Sequence, residues 1–245
     1  MELTVLGRYG PYPAAGGACS GYLIEEGDTR ILLDCGSGVL SRLQRYTPVQ
    51  ELDAIILSHL HADHMGDTLI LRYFLQIEQA RGRMDKRPLP VFLPDAPADM
   101  FAMLTGVPQI GRHVITDGLE TRIGAIEVRF RAMMHSVVSY GVRLTAKGRS
   151  ICYTGDTGYH EGIAPFAKGA SLLLPDTGFL AADKPARDPN HMTPAESAGV
   201  AASAGAEKLL LTHLWPGYEE KAVLSEALPV FSGADIAREG ERYTV

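Results

Sequence analysis

At 245 residues, 46% hydrophobic and 21% charged, the chain is long enough to bury a sizeable core and is expected to form one domain spanning 1–245. Its formal net charge of −6 argues against a broad basic surface of the kind that grips nucleic acid. A small anionic substrate stays open, because bound cations supply local positive charge.

Residues 3–6 read as a first strand. Residues 7–18, rich in Gly and Pro, read as a loop whose Tyr9 and Tyr12 either line a substrate cleft or lie as ordinary surface aromatics. Residues 21–25 and 30–33 read as a hairpin turned by Gly27-Asp28. Asp34-Cys35-Gly36-Ser37-Gly38 closes a strand and opens a helix over 39–46. Asp34 there suits either the orienting of a ligand histidine or a helix cap.

Residues 52–57, apolar apart from Asp53, read as a buried strand. Ser58-His59-Leu60-His61-Ala62-Asp63-His64 follows, then Gly66 and a helix-periodic set of Leu69, Ile70, Tyr73, Phe74 and Ile77. This places the histidines on a loop between a strand end and a helix start, a common position for active sites. Alternate residues of an extended segment share one side, so His59 and His61 reach one metal ion together. Asp63 and His64 come after the turn and serve a second. Imidazole and carboxylate donors suit zinc, and also manganese or iron. One histidine in a solvated turn would need no metal. Ligand-type side chains crowded this closely have little to stabilise them without one.

Residues 81–87 read as a charged, solvated connector. A strand over 89–93 lies between Pro88 and Pro94, and a short helix is expected over 97–104. Residues 123–133, 137–144 and 150–154 read as successive antiparallel strands. His135 sits between two of them, a position that on its own suits a packed structural histidine. In Tyr153-Thr154-Gly155-Asp156-Thr157-Gly158 a strand ends in an aspartate flanked by glycines that free the backbone to turn. Such an aspartate either bridges two cations or makes an ordinary Asp-Gly turn.

A buried strand over 170–174 runs into Pro175-Asp176-Thr177-Gly178. A Pro- and Asp-rich loop then leads to His191-Met192-Thr193-Pro194. Thr193 is placed to cap a helix over 194–204, with Glu196 completing a capping box. A last buried strand over 208–211 ends in Thr212-His213-Leu214. A helix over 219–228 and short strands complete the chain. Trp215 either edges the cleft or simply packs. His113 and His160 fit no motif and read as surface or packing residues.

Cys19, Cys35 and Cys152 are odd in number, widely spaced and set in apolar contexts, which points to reduced packing thiols and a cytoplasmic location. The first residues lack a basic region followed by an apolar core, so no signal peptide is expected, and no apolar run is long enough to span a membrane. Strands and helices alternate in two similar halves, with the ligand-type residues at strand ends. That pattern predicts two packed sheets, helices on the outer faces and a site along one edge.

Taken together, His59, His61, Asp63, His64, His135, Asp156 in Thr154-Gly155-Asp156-Thr157, and His213 resemble the metal-ligand series of the metallo-β-lactamase-fold hydrolase superfamily. The resemblance runs through most of the chain. It implies an α+β fold, the four-layer αββα sandwich with two mixed sheets flanked by helices. It implies two divalent ions, zinc first, with Mn2+ or Fe2+ as alternatives. His59, His61 and His135 would hold one ion, Asp63, His64 and His213 the other, and Asp156 would bridge them.

Within the superfamily the chain is similar to the ribonuclease Z and phosphodiesterase branch, whose late histidine motif matches His191-Met192-Thr193 and the Ala-rich helix after it. That histidine assists the leaving group in the branch and pairs with an acidic residue. Asp176 stands here where ribonuclease Z usually has Glu. The long arm that grips tRNA in ribonuclease Z has no counterpart between His135 and Asp156, so tRNA 3′-processing is not expected.

The function so implied is hydrolysis of a small-molecule or nucleotide phosphodiester, with catalytic roles for Asp63, His191 and Asp176. Hydrolysis of a lactone, ester or thioester on the same centre is the alternative, and a metal-bound sensor without turnover is a third reading. The expected partner is a small anionic substrate, with no extended nucleic-acid surface and no membrane. The resemblance leaves a homodimer open.

Overall fold

Two seven-stranded sheets lie face to face with helices on both outer sides in the computed structural model, which describes residues 1–84, 87–104, 106–186 and 190–245. Positions 85 and 86 of the charged connector and 187–189 of the Pro- and Asp-rich loop lie outside the described residues.

Strand β1 (Glu2–Gly7) pairs antiparallel with β2 (Gly21–Glu26), which turns at Gly27-Asp28 into β3 (Thr29–Leu33). Helix α1 (Val39–Leu43), β4 (Ala54–Ile56), α2 (Ala62–Met65), α3 (Thr68–Ala80), β5 (Leu89–Leu93), α4 (Ala98–Met103) and β6 (Ile110–Val114) complete the first half. Strands β3 to β6 run parallel.

The second half opens with four antiparallel strands, β7 (Glu120–Ile123), β8 (Ile126–Met133), β9 (Ser139–Ala146) and β10 (Arg149–Tyr153). Helix α5 (Ile163–Phe166), β11 (Leu172–Leu174), α6 (Pro194–Ala204), β12 (Leu209–Leu211), α7 (Glu220–Ala227) and β13 (Ala234–Ile236) follow, their strands parallel to β10. Strand β14 (Arg242–Thr244) returns to the first sheet and pairs with β1. The sheet orders are β14-β1-β2-β3-β4-β5-β6 and β13-β12-β11-β10-β9-β8-β7.

Three cores fill the spaces between the four layers. Tyr22, Ile24, Ile31, Leu33 and Ile56 of the first sheet meet Val128, Phe130, Leu144, Ile151 and Leu172 of the second. The alternate residues Leu23, Leu32, Ile55 and Leu57 face outward onto Val39, Leu43, Leu71 and Leu75 of the helices. Cys152, Leu173, Leu209 and Leu211 face Ala198, Ala201, Val223 and Ala227 in the same way. Both faces of each central strand are therefore buried, which is why these strands read as unbroken apolar runs. The alanines of α6 bring that helix close to its sheet. Its start is the anticipated capping box, Thr193 accepting from the Glu196 N–H while Glu196 accepts from the Thr193 N–H.

Several expectations need correction. The strand expected over 123–133 is two strands, because the chain turns at Gly124, which takes a φ of 52°. The next begins at Ser139 rather than 137. Strand β6 and helix α5 were not anticipated; β6 is an edge strand with an exposed outer half and no clean alternation. The periodic set in α3 indicated a helix but not its buried face: Leu71 and Leu75 point inward, while Ile70, Tyr73 and Ile77 are exposed. Among the described residues no helix is long and apolar enough to cross a membrane.

Candidate metal centre

Parallel strands point one way, so the segments leaving their C-terminal ends gather along one edge of the sandwich. Asp34 follows β3 and Ser58 to His61 follow β4. Asp156 follows β10, Asp176 follows β11 and His213 follows β12. His135 arrives from the end of β8. Asp63 and His64 are not on a simple loop: they ride on the single turn of α2, with His61 in extended backbone as its N-cap. Asp34 and His213 both take a φ of 56°, a strained left-handed conformation held by the surrounding structure.

The residues expected as ligands come together. His59, His61, His135 and Asp156 form one set, and Asp63, His64, Asp156 and His213 a second; the ligand atoms within each lie within 4.8 Å of one another. In the first, His61 Nδ1 lies 3.1 Å from both His59 Nε2 and His135 Nε2, and Asp156 Oδ2 is 3.6 Å from His59 Nε2. In the second, His213 Nε2 lies 3.2 Å from Asp63 Oδ2 and from Asp156 Oδ2, and His64 Nε2 lies 3.2 Å from Asp156 Oδ1. Zinc–nitrogen bonds of about 2.0–2.1 Å at tetrahedral angles separate neighbouring donors by about 3.3–3.4 Å. The observed spacings match such a polyhedron around each of two points, with the Asp156 carboxylate between them.

Hydrogen bonds at the outer nitrogens fix how each ring faces inward. Asp34 is fully buried, and its Oδ2 accepts from Ser58 Oγ, His64 Nδ1 and Tyr153 OH, each at 2.8 Å. Ser58 Oγ in turn accepts from His59 Nδ1 at 3.1 Å. His135 Nδ1 donates to the Asn190 carbonyl at 3.1 Å. In each case the proton sits on Nδ1, leaving the Nε2 lone pair aimed into the cluster. Two inward atoms, His64 Nε2 and Asp156 Oδ1, are buried without a hydrogen-bond partner. A buried polar atom left unpaired is costly, and a cation at this point satisfies both. The donor set therefore fits divalent metal.

The electrostatics agree. Burial, reinforced by the charge of His64, holds His59 well below its ordinary pKa, and burial likewise lowers His61 and His135, so these three rest as neutral imidazoles, the ligating form. Burial also opposes charge on His64 and His213, but in both it is outweighed, chiefly by Asp156, and they are raised. Burial works against ionised Asp63 and Asp156 too. Neighbouring histidines, His64 foremost at Asp63 and His213 at Asp156, outweigh it and hold both carboxyls low. The pocket is built to contain positive charge.

Beside the second set, His191 Nδ1 lies 2.8 Å from Asp176 Oδ2, and its ring stacks on His213 at 5.1 Å between centroids. Burial lowers the His191 pKa, but the Asp176 carboxylate outweighs it and raises the imidazole. Asp176 is itself anchored by the Thr157 N–H at 3.0 Å, and its Oδ1 lies 3.4 Å from His213 Nδ1. Asp156, Asp176, His191 and His213 make a third metal-compatible set, but its His191 Nδ1 and Asp176 Oδ2 already face each other.

Ser58, Tyr153 and Asn190 had not been singled out as site residues. Ser58 begins the histidine stretch and Tyr153 precedes the Asp156 turn, so adjacency was the available signal. At Asn190 it is the backbone carbonyl that meets His135, and residue identity carries no sign of that. Gly10 belongs with them: a Cβ there would lie 1.9 Å from His213 Nε2, so only glycine lets the 7–18 loop cross the site.

Residues 29–214 match the family described as Beta-lactamase superfamily domain. The chain is similar to the probable metallo-hydrolase YhfI of Bacillus subtilis, 36% identical over 241 residues covering 98% of each chain. The crystal structure of YhfI, a metallo-β-lactamase fold protein, aligns with a TM-score of 0.93 over 99% of this chain and 98% of that one. A ribonuclease Z of Bradyrhizobium is 28% identical over 301 aligned positions covering 100% of both chains. A diphosphatase of the PhnP family shares the fold, with a TM-score of 0.79 at 17% identity over 100% of this chain and 97% of that one.

Proposed function

The chain belongs to the β-lactamase superfamily and is a metal-dependent hydrolase, and from that premise we propose that the bond it cleaves is a phosphodiester in a small-molecule or nucleotide substrate. We take residues 1–245 to act as one domain. His59, His61 and His135 would hold one divalent ion and Asp63, His64 and His213 another, with Asp156 shared. Two ions bound there, zinc foremost, would supply an acidified water and would neutralise phosphoryl oxygens.

The chain's own residues do the rest. Asp63 orients the attacking water. His191, held through Nδ1 by Asp176, presents Nε2 to the departing oxygen and gives it a proton. The observation that carries the reading is this histidine–aspartate pair, 2.8 Å apart and stacked on His213, which a site for leaving groups that need no proton would not require. The ribonuclease Z name among the relatives supports phosphodiester chemistry.

An extended RNA is a poor fit. Between His135 and Asp156 the chain makes only the β9–β10 hairpin, and its net charge is −6. General acid assistance is typically worth about 10²–10⁴-fold. His191→Ala should therefore keep its metal and lose about that factor on a dialkyl diester, while losing far less on bis(4-nitrophenyl) phosphate, whose leaving group needs no proton. Equal loss on both substrates would remove the proton-donor role. Strong lactonase turnover with no diesterase turnover would overturn the substrate class.

A further inference from the structure

Next to the candidate centre lies a pocket of about 600 Å³ lined by Phe179, Asp183, Pro185, Trp215, Gly217 and Tyr218. Phe179 meets the His191 ring edge to face at 5.6 Å between centroids. The aromatic series continues from Phe179 to Trp215 at 5.7 Å and from Trp215 to Tyr218 at 6.1 Å. The pocket therefore begins where the proton donor stands.

Core packing accounts for one of these rings. Tyr218 leans on the core beneath α6 and α7, but among the described residues neither Phe179 nor Trp215 belongs to any of the three cores. All three are half-buried, leaving aromatic faces at the pocket wall. The indole is also held in place: Trp215 Nε1–H donates to Tyr12 OH at 3.1 Å, across from the 7–18 loop. A fixed, partly open indole beside a reaction site is a stacking platform. Among the described lining residues the one that is charged is acidic. Asp183 repels phosphate but accepts a hydrogen bond from a ring amine.

Resting on the phosphodiester reading, we infer that this pocket is a subsite for a planar aromatic ring, of the nucleobase type, in the leaving-group half of the substrate. Trp215 and Tyr218 supply the faces, Phe179 separates the ring from His191, and Asp183 meets the polar edge. The volume lies within the range usual for small-molecule sites.

Trp215 is the chain's single tryptophan, so its fluorescence reports occupancy without turnover. The intact protein is titrated with adenosine 5′-monophosphate, ribose 5-phosphate and inorganic phosphate. Saturable quenching is expected from the nucleotide alone. Tyr218→Ala should weaken nucleotide binding about tenfold, within the range for loss of one stacking face, and Tyr218→Phe should restore it. In kinetics on metal-loaded enzyme, Trp215→Ala should raise KM for a nucleotide diester about tenfold more than for a dialkyl diester.

A silent tryptophan, or equal KM changes for both diesters, overturns the subsite. With diester turnover intact, that result leaves the phosphodiester reading standing. Quenching by the nucleotide without hydrolysis of any diester does the reverse: it overturns the reaction assignment and keeps the aromatic pocket.

Discussion

Asp34 controls one histidine in each candidate ligand set, directly at His64 and through Ser58 at His59. Asp34→Asn preserves its shape but not its acceptors. In the parent, Oδ1 accepts from the Ser58 N–H at 2.7 Å and Oδ2 accepts three further bonds at 2.8 Å. Either orientation of the amide aims its NH2 at an existing donor. The milder one sacrifices the Ser58 N–H, leaving a buried donor unpaired at about 1–3 kcal/mol. The three remaining bonds change from a charged acceptor to a neutral one, a loss of about 1 kcal/mol each. Allowing for relaxation, the total is about 3–5 kcal/mol. At about 2–4 °C per kcal/mol for a chain of this size, the metal-stripped protein should melt about 6–20 °C lower. Loss of the orienting acceptor should also weaken metal binding about 10–100-fold. Calorimetry of stripped protein and competition against a chelating dye read the two effects separately. Melting and metal affinity both equal to the parent's would refute the orienting role.

Gly10→Ala should leave the fold intact by circular dichroism but force His213 aside, since the new methyl would sit 1.9 Å from its Nε2; elemental analysis should show less bound metal per chain than in the parent, and an unchanged content would contradict this. Chelation should lower the melting temperature, because a ligand at 100 times its Kd stabilises by about 2.7 kcal/mol, or about 5–11 °C here, and re-addition of zinc or manganese should restore it. Indifference of a metal-loaded preparation to the chelator would count against a resident metal. Away from the site, Lys147 and then the Met1 amino group hold the Glu26 carboxyl down to about 2, below its ordinary 4.5. A carboxyl depressed on folding stabilises above its unfolded pKa, and the contribution fades as pH falls through the folded one. Glu26→Gln should therefore flatten the decline of the urea midpoint between pH 5 and 2, and an unaltered pH profile would exclude the pair as its source.

Local chemistry made some of this protein readable residue by residue. The Thr193 and Glu196 capping box needs only neighbours along the chain, and the central strands announce themselves because burial on both faces demands unbroken apolar runs. The histidine stretch was conspicuous because crowded ligand types make little sense without a cation. Strand β6 gave no such signal: an exposed edge strand is held by one neighbour's hydrogen bonds, which any residue but proline can supply.

The α3 stripe misled for a related reason, since periodicity reveals a helix while the surrounding layers choose which side is covered. The bond from Tyr153 to Asp34 spans 119 positions and joins one sheet to the other. Likewise the stacking of His191 on His213, and the ring of aromatics beyond it, exist only once parallel strands deliver their ends to the same edge. Side-chain chemistry is written in the order of residues, whereas distances between remote groups are set by how the sheets pack.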